Sequence, residues 1–140
     1  MIIGYAYVVG DILHRGHIQH LKNCRALCDK LIVGVLTDRA TMEKKVRPII
    51  PFVERLDIID ALGVVAVPQA TYSPRENIRA IKPDMLFEST SHNKRSLELN
   101  EKLMKKLGGR MITMPYFPLT SSTSIKEKIV KQRKGVANGN

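Results

Sequence analysis

Tryptophan is absent from this chain, and three phenylalanines and four tyrosines are all the aromatic surface it carries. Binding nucleic acid through stacked bases needs aromatic side chains along a basic groove, or a recognition module. Neither is present, so no nucleic acid is expected as partner. Two cysteines, Cys24 and Cys28, are too few for a disulfide scaffold, and four residues apart on one helix their side chains diverge. With His20 they form a stripe that could in principle hold a metal. Ile18 and Leu21 share much of the same face, however, so the pair reads as small buried packing residues and no metal-binding set is expected. No apolar run reaches the length of a membrane span, and Met1 to Val9 lacks the basic region and cleavage site of a secretion signal. The expectation is a cytoplasmic protein without membrane contact. A Walker-type glycine loop and a carboxylate pair for acid–base work are also missing. Acidic residues are the scarce charge, 13 against 23 lysines and arginines, and the net +10 favours an anionic partner.

What is present is a soluble-type composition, 44% apolar and 26% charged over 140 residues, enough for one domain with a sizeable core. Apolar, β-branched runs alternate with amphipathic stretches. Strands are predicted at Ile2 to Val9, Leu31 to Leu36, Val64 to Val67, Asp84 to Phe87 and Met111 to Met114. Helices are predicted at Gly16 to Cys28, from Pro51 to Leu62, Pro74 to Ile81, Arg95 to Leu107, and from Ser121 or Ser122 to about Lys131. This is an α/β chain, a Rossmann-like doubly wound three-layer sandwich on a five-stranded parallel sheet. It is read as a single domain over residues 1–134 with a disordered tail over residues 135–140.

The chemistry concentrates at the first strand–helix junction. His14, Arg15, Gly16 and His17 place two imidazoles where a helix presents free N–H groups and its positive end, a ready anion site. Gly16 lets a ligand approach the backbone. Two imidazoles so close are costly if both are charged, and a phosphate chain between them would make the arrangement reasonable. Thr120 to Ser124 put successive hydroxyls at the start of the last helix, able to cap it or to cradle phosphate. Lys44 and Lys45 stand in a polar loop after the second strand. The cluster Lys126, Lys128, Lys131, Arg133 and Lys134 reads as a solvated helix end.

Taken together, from about Ile2 to Ile129, these stretches resemble the cytidylyltransferase-like nucleotidyltransferases, and within them the glycerol-3-phosphate cytidylyltransferase type. Asp11 to His17 matches D-x-x-H-x-G-H, Thr37-Asp38 closes the second strand, Glu54-Arg55 matches an E-R helix start, and Ser121 to Ile125 matches S-[ST]-T-x-I. The resemblance implies attack by a phosphate or phosphonate oxygen on the α-phosphate of a nucleoside triphosphate, with pyrophosphate leaving. It implies His14, His17 and Lys44 as catalytic groups and Val9, Gly10, Asp11, Gly16, Ser121, Ser122 and Thr123 around the nucleotide. Lys45, Arg55, Glu88 and His92 would hold the acceptor or its phosphate. Mg²⁺ would arrive with the nucleotide, CTP before ATP, and the assembly would be a homodimer. The acceptor would be small and phosphorylated, such as glycerol 3-phosphate, a sugar phosphate or a phosphonate.

Three positions depart from that pattern. Val8-Val9-Gly10-Asp11 stands where the family reads G-T-F-D, Tyr116 where many members carry arginine, and Glu88 to His92 where they carry a Gly-Asp-rich loop after the fourth strand. An adenylyltransferase and a non-catalytic nucleotide-binding domain are the alternatives.

Overall fold

The computed structural model describes residues 1–90, 92–115 and 122–139, with side chains as far as residue 135. Ser91, Tyr116 and Ser121, all singled out above, lie outside the described residues. The elements alternate: β1 (Ile3–Val8), α1 (Arg15–Ala26), β2 (Lys30–Leu36), α2 (Asp38–Thr41), α3 (Phe52–Asp60), β3 (Val65–Gln69), α4 (Arg75–Ile81), β4 (Met85–Ser89), α5 (Lys94–Lys106), β5 (Arg110–Met114) and α6 (Ser122–Gly139). All strand pairings are parallel, in the order β3-β2-β1-β4-β5. The chain therefore winds outward from β1 one way and then the other. The reversal lies between β1 and β4, and ligands of such sheets bind at the strand carboxyl ends beside it.

The sheet is covered on both faces, which is why its strands read as unbroken apolar runs. Ala6, Val33, Val35 and Phe87 pack with Leu21 and Cys24 of α1 and Ile59 of α3. Tyr5 and Leu86 pack on the other face with Ile78 of α4 and Met104 of α5. The three-layer sandwich follows. Gly34 is required by close approach, since a Cβ there would sit 2.0 Å from Tyr5 Oη. Cys24 is fully buried in the first cluster and burial pushes its thiol up to about 12, the behaviour of a packing residue. Among the described residues no group of three or more His, Cys, Asp or Glu converges to hold a metal, and no helix is long and apolar enough to cross a membrane.

The differences from the sequence reading are local. The short helix α2 was not predicted: its turn is closed by the Thr37 hydroxyl, which accepts from Ala40 N–H at 3.1 Å. Pro51 caps α3 from outside rather than opening it. β3 runs on through Pro68, tolerated because β3 is an edge strand. β4 runs two residues past Phe87, which converts Glu88 from a loop residue into a strand residue with an inward side chain. The helix α6 continues past Lys131 as far as Gly139, into the segment expected to be disordered.

Candidate active site

At the carboxyl ends of β1 and β4 lies a cavity of about 610 Å³. His14, Gly16, His17 and His20 border it from the start of α1, and Ser122 and Thr123 from the start of α6. Lys44, Lys45 and Tyr72 close one side, while Tyr7, Ser89, His92, Asn93 and Ser96 form the wall over β1, β4 and the start of α5. All four histidines of the chain face this one space.

The two imidazoles of the H-x-G-H step are wired to the backbone. Gly16 N–H donates to His14 Nδ1 at 2.9 Å, and His14 N–H donates to His17 Nδ1 at 3.3 Å, a reciprocal cap of α1 built from histidines. A ring nitrogen that accepts a backbone N–H cannot carry a proton of its own. Both rings are therefore Nε2–H tautomers, each with one N–H left to donate, and their centroids lie 4.1 Å apart. Burial, and after it the nearby His14, push His17 down to about 4, and burial lowers His14 as well. The pair is thus held neutral. The cost of two adjacent imidazolium ions is avoided, and two fixed donors aim at one place.

The turn leading into this pair is strained and pinned. Gly10 has φ 73° and Ile12 φ 46°, left-handed values that suit glycine and cost a β-branched residue. The Ser122 hydroxyl donates to the carbonyls of Asp11 and Ile12, which fixes the start of α6 against the turn before His14. Asp11 is 3% exposed: its carboxylate accepts from Ile49 N–H at 3.0 Å and Ile50 N–H at 2.9 Å and pairs with Lys126. Burial alone would raise this carboxyl, but those three partners hold it below its usual range.

On the opposite side, the Lys44 ammonium sits 5.0 Å from the centre of the Tyr72 ring, and Tyr72 N–H donates to the Glu43 carboxylate at 2.8 Å. The lysine loop is thereby docked on the loop after β3.

A family profile described as cytidylyltransferase-like matches residues 10–128. The chain is a member of the cytidylyltransferase-like family. The bifunctional protein HldE of Escherichia coli is 32% identical over 131 residues, covering 91% of this chain. This chain spans 27% of the length of that relative. The lipopolysaccharide core biosynthesis protein of Thermoplasma volcanium has a TM-score of 0.71 and 30% identity, with 84% of this chain and 97% of that one covered. TmcAL of Thermotoga maritima, solved with alpha-thio ATP, has a TM-score of 0.67 over 95% of this chain and 51% of its own, at an identity of 13% that speaks for the fold alone.

In this member of the family, the structure brings His14, Gly16, His17, Lys44, Lys45, His92, Ser122 and Thr123 to one cavity. Other expected contacts fall elsewhere. Arg55 is fully buried and spent on the backbone: its Nε donates to Ile50 O at 3.0 Å, its NH1 to Leu36 O at 2.7 Å and to Val9 O, and its NH2 pairs with Asp38 at 2.7 Å. It clamps the strand ends and, with no exposed surface, cannot reach an acceptor. Val9, Gly10 and Asp11 belong to the same scaffold and do not border the cavity. Glu88 lies beneath it, bonded to Tyr7, His92 and Asn100. Lys126, read as part of a solvated helix end, is the partner of Asp11.

Sequence reasoning missed Tyr7, His20, Tyr72, Asn93 and Ser96 as wall residues. His20 was legible, because it follows His17 by three on α1 and so shares its face. Tyr72 and Ser96 come from loop and helix starts that only the sheet order brings together.

Proposed function

We propose that this enzyme transfers a nucleotidyl group, CMP before AMP, from a nucleoside triphosphate to a small phosphorylated acceptor. The observation that carries this is the His14–His17 pair. Two imidazoles locked by backbone N–H groups offer two Nε2–H donors at the positive end of α1, beside Lys44, Lys45 and the start of α6 at Ser122 and Thr123. The arrangement suits a transferring phosphoryl group, whose charge must be met by donors already in place. An acceptor phosphate oxygen would attack the α-phosphorus, the bond to the β-phosphate bridging oxygen would break, and pyrophosphate would leave. His14 and His17 would donate to the α- and β-phosphate oxygens through that transfer, the Thr123 hydroxyl and the backbone N–H groups of Ser122 and Thr123 at the start of α6 would hold the β- and γ-phosphates, and Lys44 and Lys45 would neutralise the phosphates from the open side. The cavity wall is imidazole, ammonium and hydroxyl, so Mg²⁺ would be held through the phosphates, where it supplies charge neutralisation.

ATP as donor is a second reading, because the imidazole, ammonium and hydroxyl groups of the cavity would meet the phosphates and none of them reads the base. Among acceptors, the likeness to a lipopolysaccharide core biosynthesis protein favours a sugar phosphate. The test is pyrophosphate release with CTP or ATP against glycerol 3-phosphate, sugar 1-phosphates and phosphonates, with the His17→Ala variant as control. Acceptor-dependent release that His17→Ala abolishes is expected. Tight nucleotide binding without release for any acceptor would leave a non-catalytic nucleotide-binding domain in its place.

A further inference from the structure

Glu88 sits at the carboxyl end of β4 with no exposed side-chain surface, directly beneath the cavity wall. Its two oxygens accept from the Tyr7 hydroxyl, at 2.9 Å each, and from Asn100 Nδ2 at 2.9 Å. Both donors are neutral. Arg75 reaches only Asn100, at 3.1 Å, one bond removed from the carboxylate. Tyr7 is held firmly as a phenol, because burial and then the Glu88 charge oppose its ionisation. A buried carboxylate needs a counter-charge. Among the described residues, His92 is the one group within hydrogen-bond reach of Glu88 that can supply it, with Nδ1 at 2.9 Å from the carboxylate.

The polarity of His92 is therefore opposite to that of His14 and His17. Their Nδ1 atoms accept from the backbone and keep the rings neutral. His92 Nδ1 lies 2.9 Å from the Glu88 carboxylate and 3.0 Å from the Tyr7 hydroxyl oxygen, two acceptors for an N–H, while its ring, 29% exposed, borders the cavity. We propose that Glu88 holds His92 as an imidazolium whose Nε2–H anchors the phosphate or phosphonate dianion of the acceptor, a second anion point beside the His14–His17 pair. The inference rests on the nucleotidyl-transfer reading for the word acceptor, and on the Glu88 network alone for the anion site. It divides the labour at the altered loop: His92 touches the ligand, and Glu88, Tyr7 and Asn100 position His92. The other titratable groups facing it are Tyr7 from β1 and His20 from α1, and burial above all lowers His20.

The experiment is ¹⁵N NMR of the histidine side chains of the full chain near neutral pH, where a free imidazole is about half titrated or less, with inorganic phosphate and methylphosphonate as probes and CTP or ATP added separately. Both nitrogens of His92 should carry protons, and either probe should move the His92 signals. In Glu88→Gln, His92 should lose its second proton and phosphate affinity should fall about tenfold or more, the scale of a lost charge-assisted bond. In His92→Gln the probes should lose this site while nucleotide still perturbs His14 and His17, and this variant carries the test if Glu88→Gln does not fold. A singly protonated His92 in the parent protein, or probe binding unchanged by His92→Gln, overturns the proposal. If the probes mark His92 but neither nucleotide binds, the anion site stands and the transfer reading fails.

Discussion

His17 shows how much of this site is decided atom by atom. Its Nδ1 is occupied by the backbone N–H of His14, so its protonation would break a bond that starts α1. Replacing it with alanine should lower turnover by about 10²–10³, the cost of one preorganised donor, with circular dichroism and melting little changed. His14→Ala should do the same and also loosen α1, by roughly 1 kcal/mol for a lost cap acceptor. The sign of the pH effect follows from the depressed value. Unfolded His17 takes up its proton near its ordinary value of 6.5, whereas folded His17 does so only near 4. Between those limits the unfolded chain binds more protons, so stability should be present above about pH 6.5 and decline as pH falls towards about 4. Melting followed across that window checks this, and His17→Gln should flatten the slope. A melting temperature that rises on acidification would contradict the assignment.

At the scale of elements, Arg55 and Asp11 hold the frame that aims the site. Arg55 ties the end of β1, the end of β2 and the turn before α3 to Asp38 with every bond internal. Truncating it to alanine empties a large buried site and leaves the carbonyls of Val9, Leu36 and Ile50 without their donor, and should cost about 3–5 kcal/mol, read by denaturant unfolding. Arg55→Lys should recover little, because one ammonium cannot replace a fork of donors. These two residues also mark the limit of what the sequence made legible. The H-x-G-H step, the hydroxyl run at α6 and the lysine loop could be placed because each carries its chemistry in local order: strand, turn, helix start. Arg55 and Asp11 stand in the same motifs but turn inward, and direction is set by carbonyls and N–H groups 5 to 46 residues away in sequence. Glu88 was misread for a related reason. Its strand outlasts its apolar run by two residues, and a polar side chain there reads as loop although Tyr7 and Asn100 satisfy it inside the fold.

For the whole molecule, the sheet order is the device that creates the site. Placing β1 at the centre with β4 beside it brings the turn before α1 and the start of α5 to one cavity, and Ser122 fastens the start of α6 to that turn. The alternating apolar runs made that architecture readable, since a parallel sheet with helices on both faces has few permitted windings. The close contact of β2 with Tyr5 is a sensitive point in that frame. Gly34→Ala should destabilise the fold by about 1–3 kcal/mol, the usual cost of overpacking, because its Cβ would meet the Tyr5 hydroxyl and Gln69 in the second core layer. Nucleotide affinity measured on the folded fraction should be unchanged, which separates a core lesion from a site lesion.

The most direct test is calorimetric titration of the purified chain with CTP and with ATP, each with Mg²⁺, alongside His17→Ala. Binding of one nucleotide in preference to the other, sharply weakened in the variant, is the predicted result and fixes the donor. Absence of heat with both nucleotides, or equal affinity in the parent and in His17→Ala, would contradict the assignment of this cavity to a nucleoside triphosphate.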